Sequence, residues 1–257
     1  MTTTTTTPRD TILAYLDALL EPAKYADYGP NGLQVPGADE VRTVVTGVSA
    51  NRALIETAVA LDADLLLVHH GLFWGAKQTG IDHLMAGRLR PLFKHDISLV
   101  AYHLPLDGHT EVGNNALIAD GLELTGRSTF AEHGGQPLGI AGTLPGDGLE
   151  PDELAAQVGS LCQTPLTFFH GPERIRTVGI VSGGAADDIH VAAALGLDAF
   201  ITGEPEERSQ GAAEEEGIHF LAAGHHATER FGVRRLGDLL AHEFGVAHHF
   251  VDIENPV

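Results

Sequence analysis

The chain has 257 residues, 43% of them hydrophobic, and a mean hydropathy close to zero, which suits one large soluble domain or two smaller ones with a real core. Acidic residues outnumber basic ones 35 to 15, a formal net charge of −20. That weighs against duplex nucleic acid as a partner, because such binding rests on neutralising phosphates with Lys and Arg. No apolar run approaches the roughly 18–20 residues of a membrane span. Met1 is followed by six threonines and Cys162 is the single cysteine, so neither a signal peptide nor an intramolecular disulfide is expected, and a cytoplasmic location is the default.

Residues 1–6 read as a disordered, low-complexity tail. Thr7-Pro8-Arg9-Asp10 then has the pattern of a helix start, with Thr7 as N-cap and Asp10 as the capping-box acid. Ile12, Leu13, Leu16, Leu19 and Leu20 follow at helical spacing. Tyr28 to Val35 is rich in turn residues and reads as a loop. A strand over 44–48, an alanine-rich helix over 51–61 and a strand over 64–70 form a right-handed βαβ unit. Further along come a helix around 81–94, a strand over 97–102 and a helix opening at Gly113-Asn114-Asn115. The Gly- and Pro-rich stretch 126–148 serves as a loop-and-strand connection between lobes, so the expected domains are 7–125 and 126–257, with the last helix and strand free to pack on the first. Helices over 150–161 and 188–195, strands over 178–182, 198–202 and 219–223, an amphipathic helix through Leu236, Leu239, Leu240 and Phe244, and a strand over 247–253 complete the chain. Cys162 reads as a small buried apolar residue, Glu214 to Glu216 as a solvated helix face, and His248 and His249 as structural.

The stretch from Asp64 to Gly71 organises this pattern. Leu65-Leu66-Leu67-Val68 suits a strand covered on both faces, and it ends in His69-His70 where ligands gather in open α/β sheets. The second half repeats the first: Asp198 and Leu195 lie 134 residues beyond Asp64 and Leu61, with Gly203-Glu204 in place of the two histidines. Further on, the offset becomes 122, relating His225 to His103 and Glu229 to Asp107. Each half thus ends a strand in His-x-x-x-carboxylate. The expected fold is α/β: two pseudo-repeated lobes with mostly parallel sheets and a metal site between them at strand ends. His69, His70, Asp107, His225 and Glu229 are the candidate ligands. Three imidazoles and two carboxylates without a thiolate suit zinc, iron, manganese or cobalt. Five ligands suit two divalent ions better than one.

The segments Pro30-Asn31-Gly32-Leu33-Gln34-Val35, His69-His70-Gly71-x-Phe73-Trp74, His103-Leu104-Pro105-Leu106-Asp107, Gly113-Asn114-Asn115, Gly224-His225-His226-Ala227-Thr228-Glu229 and Asp252-Ile253-x-Asn255-Pro256 resemble those of the dinuclear metal-centre hexameric proteins. That family is commonly named GTP cyclohydrolase 1 type 2, and the likeness is to its short form without an inserted domain. The resemblance implies a toroidal homohexamer and two metal ions on the same five residues, with His103 and His226 close by as proton-handling groups. It also implies a metal-dependent hydrolase acting on a nucleotide or related heterocycle, opening the ring at a carbon such as C8 of a purine. A non-catalytic hexameric metal-binding scaffold would use the same ligands. A Walker-type loop is absent, Gly183-Gly184 reads as a plain turn, and a triphosphate would need local counter-charge from Lys77, Arg208 or Arg230. The native metal and the bridging carboxylate stay open at this stage.

Overall fold

In the computed structural model, residues 5–75 and 80–257 are described; Thr2 to Thr4 of the expected tail, and Lys77, lie outside them. The first half contains helix α1 (Arg9–Leu20), strands β1 (Gly32–Val35) and β2 (Thr43–Ser49), α2 (Arg52–Ala60), β3 (Leu65–His70), α3 (His83–Lys94) and β4 (Ser98–Ala101). Then follow α4 (Asn114–Gly121), β5 (Thr125–His133), β6 (Gln136–Thr143), α5 (Pro151–Leu161), β7 (Leu166–Phe168) and β8 (Thr177–Val181). The chain continues through α6 (Ile189–Ala194), β9 (Ala199–Thr202), α7 (Ser209–Glu216), β10 (His219–Ala222), α8 (Arg230–Phe244) and β11 (Ala247–Phe250). The fold is mixed α/β, in two compact units: residues 1–106 with 232–254, and residues 107–231 with 255–257.

The first unit holds a five-stranded sheet of order β11-β2-β3-β4-β1, parallel except for the edge strand β1. Its centre is β3, whose Leu65, Leu66, Leu67 and Val68 are all fully buried, each stabilising the fold by roughly 1.5–3 kcal/mol. Helix α2 is capped by the Asn51 side chain, which accepts from the Leu54 amide at 2.9 Å. Two local expectations change. Gly32–Val35, expected as loop, is a strand paired antiparallel to β4 with an irregularity between Leu33 and Val35. The turn chemistry of Gly29-Pro30-Asn31 masks it, and its extended form comes from tertiary pairing. Thr7 is no N-cap: it pairs with Val41 as part of a short antiparallel ladder, the helix begins at Arg9, and Asp10 binds the Arg9 guanidinium. His248 is structural, its Nε2 2.8 Å from Thr46 Oγ1 and its Nδ1 3.0 Å from Asp238.

In the second unit the sheet order is β5-β6-β8-β9-β10-β7. A parallel core of β8, β9 and β10 is flanked by antiparallel partners on both sides. Strands β5 and β6 form a long hairpin whose two-residue turn, Gly134-Gly135, has φ +60° and +82°; two successive positive φ values suit a right-twisting hairpin and favour glycine. The division of the chain falls at 106/107, upstream of the expected 125/126. The reason is packing: Ala116, Ile118 and Ala119 of α4 sit in one core cluster with Ile140, Val178 and Ile180. Cys162 packs against the same cluster, and burial pushes its thiol up to about 12 although Arg230 opposes the shift.

The internal repeat is visible in hydrogen bonds. Asp64 Oδ2 accepts from the Arg42 and Thr43 amides at 2.8 and 2.9 Å, and Asp198 Oδ2 accepts from the Arg176 and Thr177 amides at the same two distances. Strand β2 thus corresponds to β8, β3 to β9 and β4 to β10, and each triplet carries an antiparallel edge strand, β1 or β7. Ser98 and His219 are equivalent by register, Ser98 facing Leu65 and His219 facing Ala199. That is one residue short of the offset relating His103 to His225. Gly224, at φ +91°, accounts for the extra residue.

Candidate metal centre

In the first unit the candidate ligands lie where β3 and β4 end. His69 is fully buried, and its Nδ1 is 3.0 Å from the Tyr102 carbonyl oxygen. A carbonyl only accepts, so Nδ1 carries the proton and the lone pair is on Nε2, the state in which an imidazole binds a metal. Consecutive strand residues normally point to opposite faces. At this strand end, however, the rings of His69 and His70 are 4.7 Å apart. His70 Nδ1 is 3.0 Å from Ser49 Oγ at the end of β2. His103 closes the group: one ring nitrogen from each of His69, His70 and His103 lies within 4.8 Å of the others. Gly71 lies close against the Gln34 side chain, which a Cβ there would meet at 2.3 Å. That side chain accepts from the Leu72 amide and donates to the Pro30 carbonyl, tying the His-His-Gly turn to the loop before β1.

Asp27 holds His103. Its carboxylate accepts from His103 Nδ1 at 2.7 Å, the Leu104 amide at 2.9 Å and Asn31 Nδ2 at 2.9 Å, while Asn31 Oδ1 accepts from the His103 amide. Burial pushes the Asp27 carboxyl up, but the bonds from His103, Asn31 and the Tyr28 amide outweigh it and hold the group below its usual range.

The second unit positions Asp107, His225 and Glu229. Asp107 is buried; its Oδ1 accepts from Asn114 Nδ2 at 2.8 Å and Ser182 Oγ at 3.0 Å. Asn115 completes this corner by donating to the Leu138 carbonyl and accepting from the Ser182 amide at 2.7 Å. His225 stands between two carboxylates, with Nε2 3.1 Å from Glu229 Oε1 and Nδ1 in a short contact with Glu204. Burial depresses the His225 pKa, yet Glu229 and Glu204 together raise it to about 9. The two carboxylates that stabilise positive charge at this ring also suit a metal cation beside it. Gly183, at φ +68°, is shaped by Glu229: a Cβ there would be 2.4 Å from Glu229 Oε1. Its amide donates to Thr228 Oγ1 and its carbonyl accepts from the Gly203 and Glu204 amides, so Gly183-Gly184 is a turn occupied by the protein itself.

Each unit therefore brings its own candidates together: His69, His70 and His103 in one, His225 and Glu229 in the other, with Asp107 on the Asn114–Ser182 corner. His226, the second proton-handling candidate, is buried, with its amide donating to the Val257 carbonyl. The donor set of imidazoles and carboxylates fits borderline divalent ions such as zinc, iron, manganese or cobalt. Sequence reasoning did not select Asp27 or Glu204. Glu204 had a signal, because the offset of 134 places it at the position of His70. Asp27 comes from a loop with no counterpart in the repeat.

A family model for Duf34/NIF3 (NGG1p interacting factor 3) matches residues 7–256. The chain belongs to the Duf34/NIF3 family. A Duf34/NIF3 relative from Vibrio cholerae, named GTP cyclohydrolase 1 type 2 homolog, is 46% identical over 95% of this chain and 97% of its own. Among solved structures, protein ybgI, described as of unknown function, is 41% identical with a TM-score of 0.92, covering 98% of this chain and 100% of that one. TTHA1606 from Thermus thermophilus is 36% identical with a TM-score of 0.87 and the same coverage. The Duf34/NIF3 match thus runs through both units. Among the described residues no helix is long and apolar enough to cross a membrane.

Proposed function

We propose that this protein is a dinuclear metal-dependent hydrolase, related to GTP cyclohydrolase 1 type 2, in which His69, His70, Asp107, His225 and Glu229 hold two divalent transition-metal ions. The observation that carries the reading is the state of His69: its proton is committed to the Tyr102 carbonyl, so its Nε2 lone pair belongs to the cluster with His70 and His103. Bound ions would supply Lewis acidity and bring the pKa of a water toward neutrality. Asp27 accepts the Nδ1 proton of His103, which fixes the ring's orientation and leaves the lone pair on Nε2, the arrangement a group needs to take up and return a proton. Glu204 bears on His225 in the same manner. His226 is the second proton-handling candidate.

The substrate class is a nitrogen heterocycle opened at a ring carbon, with formate as the fragment if that carbon is C8 of a purine. The relatives' name makes GTP the first compound to test. Its triphosphate finds little counter-charge, however: Arg208 is engaged by Asp187 and Glu206, and Arg230 by the Cys162 and Ala227 carbonyls. Those engaged guanidinium groups favour, as a second reading, a non-catalytic metal-binding scaffold. In either case we infer a homohexamer, for which light scattering should give six times the 27.1 kDa chain mass.

Elemental analysis of chelator-free protein, beside His69→Ala, is the first experiment. About two ions per chain, sharply reduced in the variant, together with formate release from a nucleotide by the loaded protein, is the expected result. Two ions without turnover of any nucleotide tested would leave the scaffold reading, and no metal after reconstitution would end both.

A further inference from the structure

The candidate site in the first unit has an aromatic rim that the metal reading does not use. The chain has one Trp and four Tyr, and two of these five, Trp74 at 43% and Tyr28 at 61%, are conspicuously exposed. Both stand against the histidine cluster: the Trp74 ring is 5.1 Å from that of His103 and 5.6 Å from that of His70, and the Tyr28 ring is 6.0 Å from that of His103. Neither is on a loose tether. The Trp74 Nε1–H donates to the Gly71 carbonyl at 3.0 Å, the Tyr28 amide donates to Asp27 at 2.6 Å, and the Gly75 amide donates to the Tyr28 carbonyl at 2.6 Å. The two loops touch so closely that a Cβ on Gly29 would lie 2.4 Å from the Phe73 carbonyl oxygen. Large aromatic side chains normally find burial, and rigid ones left in water beside convergent polar groups mark a binding surface.

We propose that Tyr28 and Trp74 are the substrate-recognition residues of this site, and that its substrate presents a planar nitrogen heterocycle stacked on one or both rings next to His103. This rests on the hydrolase reading and names how that site selects its substrate. Stacking needs a π face rather than a charge, so it suits a protein of net charge −20 in which Arg208 and Arg230 are already engaged. It also places the ring, rather than a phosphate tail, beside the proton-handling imidazole.

Because Trp74 is the single tryptophan, its emission reports the site directly. Zinc-loaded protein, zinc being redox-inert, is titrated with guanosine, adenosine and uridine, and in parallel with ribose 5-phosphate, which has no heterocycle. Saturable quenching by a nucleoside and none by ribose 5-phosphate is expected. Calorimetry should show Tyr28→Ala weakening nucleoside binding on the order of tenfold, a loss typical of a removed stacking ring, with Tyr28→Phe close to wild type. The proposal is overturned if no nucleoside binds, if ribose 5-phosphate binds as well as the nucleosides, or if Tyr28→Ala binds like wild type. Binding without turnover would count against the hydrolase and leave the stacking site standing. Turnover indifferent to Tyr28→Ala would do the reverse.

Discussion

Replacing Gly183 by alanine probes the link between backbone shape and metal binding. Gly183 has φ +68°, and an added Cβ would sit 2.4 Å from Glu229 Oε1 and 3.3 Å from His225 Nε2. The left-handed conformation alone costs an alanine about 1–2 kcal/mol. Ordinary van der Waals contact begins near 3.5 Å, so the carboxylate must retreat by about 1 Å. The Glu229 side chain is 4% exposed and can yield only by leaving its place beside His225. Metal–ligand distances tolerate about 0.2 Å; a displacement several times larger should reduce affinity 10- to 100-fold, as loss of an orienting partner does. Gly217→Ala provides the control, because φ is +65° there and a Cβ meets open space. Urea denaturation of the metal-free proteins should show both variants losing about 1–2 kcal/mol. A competition titration with a chromogenic zinc chelator should show weakened binding in Gly183→Ala alone. Equal metal affinity for both variants and wild type would refute the reasoning and remove Glu229 from the ligand set.

Asp64→Ala and Asp198→Ala each strip the acceptor from two backbone amides in equivalent places, and Asp198 also accepts from Thr177 Oγ1; a loss of about 1.5–3 kcal/mol per variant is expected in equilibrium unfolding, and a negligible loss in either would mean the repeat is geometric without being energetic. Asn115→Leu leaves the buried Ser182 amide and Leu138 carbonyl without the bonds Asn115 supplied, at a cost of about 1–3 kcal/mol for each group, read as a lower melting temperature. Two histidines should give opposite pH responses. A hydrogen bond from Asp188 raises the His133 pKa against the effect of burial, so its contribution to stability is complete below the unfolded value of about 6.5 and fades as pH rises through the folded value. Burial lowers the His248 pKa although Asp238 opposes it, and His249 and Arg234 add to the lowering; its contribution is present above about 6.5 and lost as pH falls through the depressed value. Stability–pH curves for His133→Gln and His248→Gln should flatten on the alkaline and acidic sides respectively, and identical curves would refute both assignments.

Much of this was legible because it depends on short-range patterns. The apolar run of β3 and the aspartate before it recur in β9 as Asp198 followed by Ala199, Phe200 and Ile201, and the hydrogen bonds of Asp64 and Asp198 show that the repeated letter carries the same physical role. What escaped depends on distant partners. Gly32–Val35 carries turn residues and becomes a strand only because β4 offers an edge. Asp27 acquires meaning from His103, 76 residues away. The extra residue at Gly224 is silent in an alignment anchored on His103 and His225, and it appears only when the strand register is counted. Nor could composition tell that α4 would join the second core rather than the first.

Strand β11 pairs in parallel with β2, Ala247 facing Thr43, so the first unit completes its sheet only with residues synthesised about 200 positions after β2. During translation the edge of β2 therefore waits, unpaired on that side, while residues 107–231 emerge and can finish folding first. An open strand edge is a template for unwanted pairing, and closing so long a loop is entropically slow. The histidines at the end of β3 thus belong to a unit whose sheet is complete only once residues 247–250 are in place, and pulse-labelled hydrogen exchange on refolding protein should find β2 acquiring protection after β8 and β9.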